Sequence, residues 1–192
     1  MVRVNIRSGR RDLLEVAAEV LTTDPTASLG DVAAAAGISR TTLHSRYPKR
    51  DDLLLAVSRD AVARISEGIA EVGLPGADGT AAEHADGLRR LIATLVPLGA
   101  RMHFLLRHSS ADLDADLAAN VAALDEPIDA FVREAQRAGV VKPELAPWWV
   151  ISTLYSLTYA AWDGVAAGRL APLDAPSQVF DTLLGGIGGG AA

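Results

Sequence analysis

The chain has no cysteine. A disulfide framework, a thiolate metal site and a cysteine nucleophile are therefore excluded, and a reducing compartment, the cytoplasm, is the expected location. Aromatic residues are only 5% of the 192 positions, although 49% are hydrophobic. Strands are rich in β-branched and aromatic residues, so an Ala-rich chain with few rings predicts packed helices. No apolar run reaches the ~18 residues that suggest a membrane span, so no membrane partner is expected. The first residues, MVRVNIRSGRRDLLEV, lack the apolar stretch and small-residue cleavage site of a secretory signal. Catalytic signatures are missing too: there is no GxSxG, no GxGxxG after a strand, no Walker A and no HExxH. His103 and His108 are five apart, which misses the i,i+4 spacing that presents two ligands together on a helix. The expectation is a protein that is not an enzyme and uses neither cofactor nor metal.

Charge is unevenly spread. The net value is −6, yet residues 1–60 hold nine basic and eight acidic side chains, against nine and sixteen in residues 61–192. Arg3, Arg7, Arg10 and Arg11 form a basic arm, and Arg40, Arg46, Lys49 and Arg50 a second cluster. A near-neutral head on an acidic body keeps nucleic acid open as a partner of the head.

Helical periodicity and punctuation order the chain. Leu13, Val16, Ala17, Val20 and Leu21 repeat as one helix face, predicting a helix from about Gly9 to Leu21 that Asp24-Pro25 stops. Ser28 with Asp31 reads as a capping box for a helix Leu29 to Ala36. Gly37 suits the left-handed residue after a helix, and Ser39 caps a third helix, Arg40 to Tyr47. A fourth runs from about Arg50 to Val72, followed by a Gly/Pro linker, Gly73 to Gly79. Beyond it the pattern predicts helices Thr80–Val96, a short one to His108 after Pro97, and Asp112–Ala138 broken near Pro127. Trp148–Ala167 and Ala175–Leu184 follow, with a non-helical Gly-rich tail. Neither a strand nor an internal repeat is indicated.

Two short helices joined by a tight Gly turn suggest a helix-turn-helix, although an ordinary αα-corner with a polar outer face shares that turn. At 100° per residue Leu43 and Tyr47 share an anchoring face of the third helix. Thr41 and Ser45 point away, with His44 beside them and Arg40 and Thr42 on the flanks. Such side chains are sized to read base edges in a major groove.

The strings LLEVAAEVL and DVAAAAGISRTTLHSRYPKRDDLL carry a closer resemblance. Residues 10–55 resemble the N-terminal DNA-binding domain of the TetR (tetracycline-repressor) family of bacterial transcriptional regulators. Val32-Ala33, Ala36-Gly37-Ile38-Ser39, Thr42-Leu43, Tyr47 and Leu53 fall in register with the family pattern. His44 stands where the family has Tyr, Tyr47 where it usually has Phe, and Arg50 where it has Lys. The resemblance implies an all-α fold with a three-helix DNA-binding domain over residues 1–50 and a helical ligand-binding and dimerisation body over residues 51–192. It also implies a homodimeric repressor that a small-molecule effector releases from double-stranded operator DNA, an inverted repeat. The expected DNA-binding residues are Ser28, Ser39, Arg40, Thr41, Thr42, His44, Ser45, Tyr47, Lys49 and Arg50. The alternative is a helical ligand-binding or protein-interaction module that has lost DNA binding.

In the body, Trp148, Ile151, Tyr155, Tyr159 and Trp162 form an aromatic stripe, and Val150, Leu154, Leu157, Ala161 and Val165 a smoother one. A helix apolar on two faces is buried on both. The smooth face is expected to pack across a two-fold axis. The aromatic residues, with His103 and Phe104, are expected to line a pocket for a mostly apolar, neutral or cationic effector: Trp148, Tyr155, Tyr159 and Trp162. The same stripe could instead be plain core. Arg101 and Arg107 read as a solvated face, with an anion or carboxylate contact as the alternative.

Overall fold

The computed structural model describes residues 12–108 and 114–187. Among the described residues there are helices and no strand. The chain divides into two compact units, residues 1–57 and 58–192. The basic arm Arg3, Arg7, Arg10 and Arg11 lies outside the described residues.

The first unit is built by helix ends as much as by its core. Helix α1, Leu13–Thr23, is capped by the Asp12 carboxylate, which accepts the Leu14 N–H at 3.4 Å. It buries Val16, Ala17, Ala18 and Leu21 and runs two residues past the expected Leu21. The Asp24 carboxylate then accepts the Thr26 N–H at 2.8 Å and hydroxyl at 2.7 Å, closing the turn before the next cap. Helix α2, Leu29–Ala35, opens on the capping box that Ser28 and Asp31 predicted. Its narrow face buries Val32 and Ala33. Gly37 has φ +66°, and the Ile38 N–H reaches the Ala33 carbonyl while the Gly37 N–H reaches that of Ala34. This is a Schellman ending, which needs a residue free of a Cβ penalty at positive φ. Helix α3, Arg40–Arg46, starts two residues later, with Tyr47 as its C-cap. Helix α4, Arg50–Val72, spans the division between the units.

The second unit comprises α4 from Ser58 onward, α5 (Ala81–Leu95), a 3₁₀ turn (Val96–Leu98), α6 (Gly99–Arg107), α7 (Ala115–Ala123), α8 (Asp125–Arg137), α9 (Pro147–Ala166) and α10 (Ala175–Ile187). Ile65, Leu91, Leu95, Ile128, Phe131, Leu154 and Leu183 sit in one buried cluster. Each such side chain adds roughly 1.5–3 kcal/mol when removed from water. Thr80 and Glu83 make a second capping box, for α5.

Four expectations need correction. The break in the 112–138 segment comes at Leu124, and Pro127 is the third residue of α8; in the first turn its missing N–H would have had no helical partner. Helix α10 runs through Gly185 and Gly186 to Ile187, because buried Val179, Phe180 and Leu183 dock it and set its direction. The smooth face of α9 does not wait for a partner chain: Val150, Leu154 and Ala161 are buried in the unit's own core, since α6, α8 and α10 all pack on α9. Its exposed side is Trp149, Ser152, Ser156 and Ala160. Finally, Arg101 is not solvated. It is buried, and its Nε donates to Asp60 Oδ2 at 3.0 Å across the α4–α6 contact.

That ion pair gives a stability test. Removing Asp60 leaves the buried Arg101 guanidinium without its carboxylate, at a cost of about 3–5 kcal/mol, whereas removing Arg101 leaves Asp60 with exposed Arg64, 3.7 Å away. Asp60→Ala should lower the unfolding free energy of the second unit, read from denaturant titration, by that amount, and Arg101→Ala should lower it by less. Arg101→Met combined with Asp60→Leu should recover most of it. Single variants that unfold with the wild type would show that the pair does not hold α4 to α6.

Candidate nucleic-acid interface and body cleft

The outer surface of α3 follows from the turn before it. Ser39 accepts the Thr42 N–H at 3.0 Å, so the helix begins with a satisfied end. Leu43 is fully buried and fixes the roll of the helix. Arg40, Thr41, Thr42, His44, Ser45 and Arg46 are all left exposed. Ser39, Thr41, Thr42, Ser45 and Arg46 line one shallow groove along this surface. The face presents hydroxyls, an imidazole and two guanidiniums, a donor-rich set for base edges and phosphates.

Not every expected DNA residue is equally free. The Ser28 hydroxyl is 2.7 Å from the Asp31 carboxylate and serves the cap of α2. The Ser39 and Thr42 hydroxyls are 2.7 Å apart and bonded to each other. Tyr47 is half-buried at the end of α3. Lys49 is exposed, and its backbone N–H donates to the Asp52 carboxylate at 2.9 Å. The Arg50 guanidinium donates to the Pro25 carbonyl at 2.6 Å and to the Ala27 carbonyl.

The six expected ligand residues are engaged by different partners. His103 and Tyr159 stack at 3.7 Å between ring centroids, and Trp162 continues the column at 5.8 Å. Burial, followed by the nearby Arg107, pulls the His103 imidazole below its ordinary value, against a smaller opposing effect of Asp163. Tyr155 donates to Asp125 Oδ1 at 2.8 Å. Burial and then the Asp125 charge push its phenol far above the usual range, so it stays a neutral donor. Phe104 is buried and stacks on His108 at 4.1 Å, whereas Trp148 is 64% exposed.

A cleft of about 460 Å³ lies elsewhere in the second unit. Its floor is Ile69, Leu124 and Phe131, and Ala70, Leu74, Pro75, Pro127 and Ala130 form the walls, with Ser66 and Glu134 as polar groups. Behind Phe131 sits His84, which the sequence reading passed over. It is buried and stacks on Phe131 at 5.8 Å. Its Nδ1 is 2.9 Å from the Thr80 carbonyl and so carries the proton. Its Nε2 has no partner among the described residues. Neither the cleft nor the histidine could have been found from local pattern, because their walls come from α4, the 74–76 loop, α5, α7 and α8. Among the described residues no group of three acidic or His side chains is placed to hold a metal ion.

Known proteins share both sequence and architecture with the chain. No protein-family model matches it. It is 34% identical over 173 residues to the HTH-type transcriptional repressor LfrR of Mycolicibacterium smegmatis, covering 88% of this chain and 87% of that protein. A crystal structure of the TetR-like transcriptional regulator LfrR from Mycobacterium smegmatis in complex with proflavine superposes with a TM-score of 0.67. The identity is 30%, with 93% of this chain and 95% of that one covered. The chain belongs to the TetR family of transcriptional regulators. A further TetR family regulator, from Marinobacter aquaeolei VT8, shares the fold at 21% identity and a TM-score of 0.61 over 93% and 94% of the two chains. The TetR resemblance read from residues 10–55 and the all-α fold it implied are both borne out.

The cap that starts α2 in this TetR-family chain carries a pH signature. The Ser28 hydroxyl, then the Ser28 N–H, hold the Asp31 carboxyl below its ordinary 3.8, against a smaller effect of desolvation. The folded state binds this proton more weakly than the unfolded one. The contribution is therefore fully present above about pH 4 and lost as pH falls through the lower folded value. Ser28→Ala should lower the unfolding midpoint at neutral pH, with the gap to wild type narrowing below about pH 4 to what the Asp31 N–H bond to the Ser28 hydroxyl contributes. A gap that persists unchanged in acid would show that the carboxylate does not take part.

Proposed function

We propose that the chain is a cytoplasmic, homodimeric repressor, released by a small molecule from double-stranded operator DNA carrying an inverted repeat. Residues 1–50 are assigned the DNA-binding role and residues 51–192 the ligand-binding and dimerisation roles. The observation that carries this is the polar face of α3, set outward by a Schellman turn, a serine cap and buried Leu43. Membership of the TetR family supports it, as does the similarity to LfrR, itself a transcriptional repressor. Among the described residues no helix is long and apolar enough to cross a membrane.

The two-fold partner surface is assigned to the outer side of α9, where Ser152, Ser156 and Ala160 leave a low profile beside half-exposed Trp149. Small residues allow close helix approach, and a two-fold axis places the same patch on both sides. A single DNA-binding unit covers a half-site, so DNA affinity depends on the dimer. Selection from randomised duplexes should enrich an inverted repeat. Ala160→Arg should yield a folded monomer in sedimentation that no longer retains the selected DNA. A wild type that enriches no repeat, or that stays monomeric at micromolar concentration, would overturn the reading.

The effector is assigned to the 460 Å³ cleft rather than to the aromatic column. The rings of the column already occupy each other's faces, with 3.7 Å between the His103 and Tyr159 centroids, whereas the cleft has an apolar floor, two polar groups and open space. The effector acts by preferring one of two dimer states, and DNA affinity falls by the ratio of its two affinities. Proflavine, with which LfrR has been crystallised, is the first compound to titrate. Ala130 is exposed, so Ala130→Trp should fill the cleft without loss of fold and weaken proflavine binding about tenfold or more. If Tyr159→Ala weakens it while Ala130→Trp does not, the column is the site.

A further inference from the structure

We infer that Arg50 is a positioning residue for DNA binding, a clasp on the loop between α1 and α2, and not one of the phosphate contacts. The inference rests on reading the first unit as a DNA-binding domain. From the sequence, Arg50 occupies the place of the lysine that opens the corresponding helix in the TetR family, and its charge suggests a phosphate partner. The structure directs the guanidinium inward instead. Nη2 donates to the Pro25 carbonyl at 2.6 Å, and Nη1 donates to the Ala27 carbonyl. Arg50 is half-buried, while its neighbours Arg46 and Lys49 are exposed.

These two carbonyls belong to residues outside any helix, between α1 and α2. Ala27 is only 4% exposed, and a backbone carbonyl shielded from water needs a partner. Ala27 leads directly into Ser28, the cap of α2, and α2 is joined to α3 by the turn at Gly37. The loop is tied within itself by Asp24 and Thr26, and Arg50 ties it to the start of α4. One planar fork thus sets where α2, and the α3 surface it carries, lies against α4 within this unit. A lysine has no such fork; its ammonium is a compact point charge on a flexible stem. A phosphate would have to draw the guanidinium off two carbonyls, each held by a charged donor.

The charge-preserving variant separates the two roles. Hydrogen exchange of the free full-length protein reads the clasp, and titration of a random-sequence duplex at several salt concentrations reads phosphate contacts. If Arg50 is a clasp, Arg50→Lys and Arg50→Ala should both speed exchange across residues 24–31, while Lys49→Ala leaves it unchanged. Both Arg50 variants should also lose about tenfold in duplex affinity, with the dependence of log K on log salt keeping its wild-type slope. If Arg50 is a phosphate contact, Arg50→Lys should match wild type in exchange and affinity, and Arg50→Ala should flatten the salt slope by about 0.9. That result would overturn the inference. Should even the wild type fail to bind duplex in a salt-dependent way, the DNA-binding reading falls, and the exchange data still decide the clasp.

Discussion

Between Ala35 and Arg40 the chain must end one helix and begin another, and every backbone group at those two ends needs a partner. The Ala33 and Ala34 carbonyls are met by Ile38 and Gly37, and the Thr42 N–H by Ser39. The solution is possible because Gly37 can take φ +66° and Ser39 brings a side-chain acceptor. Everything that gives α3 its outward face depends on this short stretch. If the turn had another length, Leu43 would leave the core and a different set of residues would be presented.

The body works under a different constraint. Its helices are stabilised by the apolar surface they bury in one cluster, and α9 gives up most of its circumference to that purpose. What remains exposed on α9 is small or polar apart from Trp148 and Trp149. The buried Asp60–Arg101 pair adds a directional element to an otherwise non-directional core. Apolar contacts tolerate sliding of one helix on another, whereas a buried charged pair has one register in which both charges are satisfied.

Aromatic residues illustrate how chemistry of the right kind can be spent on structure. Tyr159, Trp162 and His103 satisfy each other by stacking, and Tyr155 is satisfied by Asp125. The open apolar space of the body is lined mainly by aliphatic side chains and one phenylalanine. A binding surface needs unfilled contacts, and rings that already touch have few to offer.

The sequence by itself determined the helical class, the places where most helices start and stop, and the family, because these depend on neighbours three or four positions away. Capping boxes at Ser28 and Thr80, the Gly37 turn and the amphipathic stripes are all of that kind. Tertiary structure alone decided which apolar face of α9 is core, that Arg101 is buried against a residue 41 positions away, and that Arg50 turns to carbonyls 23 and 25 positions away. It also decided that the cleft draws its walls from three helices, α4, α7 and α8, and a loop. A side chain's charge and size are written locally. Whether it meets water, a carbonyl or a carboxylate depends on which distant backbone folds against it, and periodicity carries no record of that.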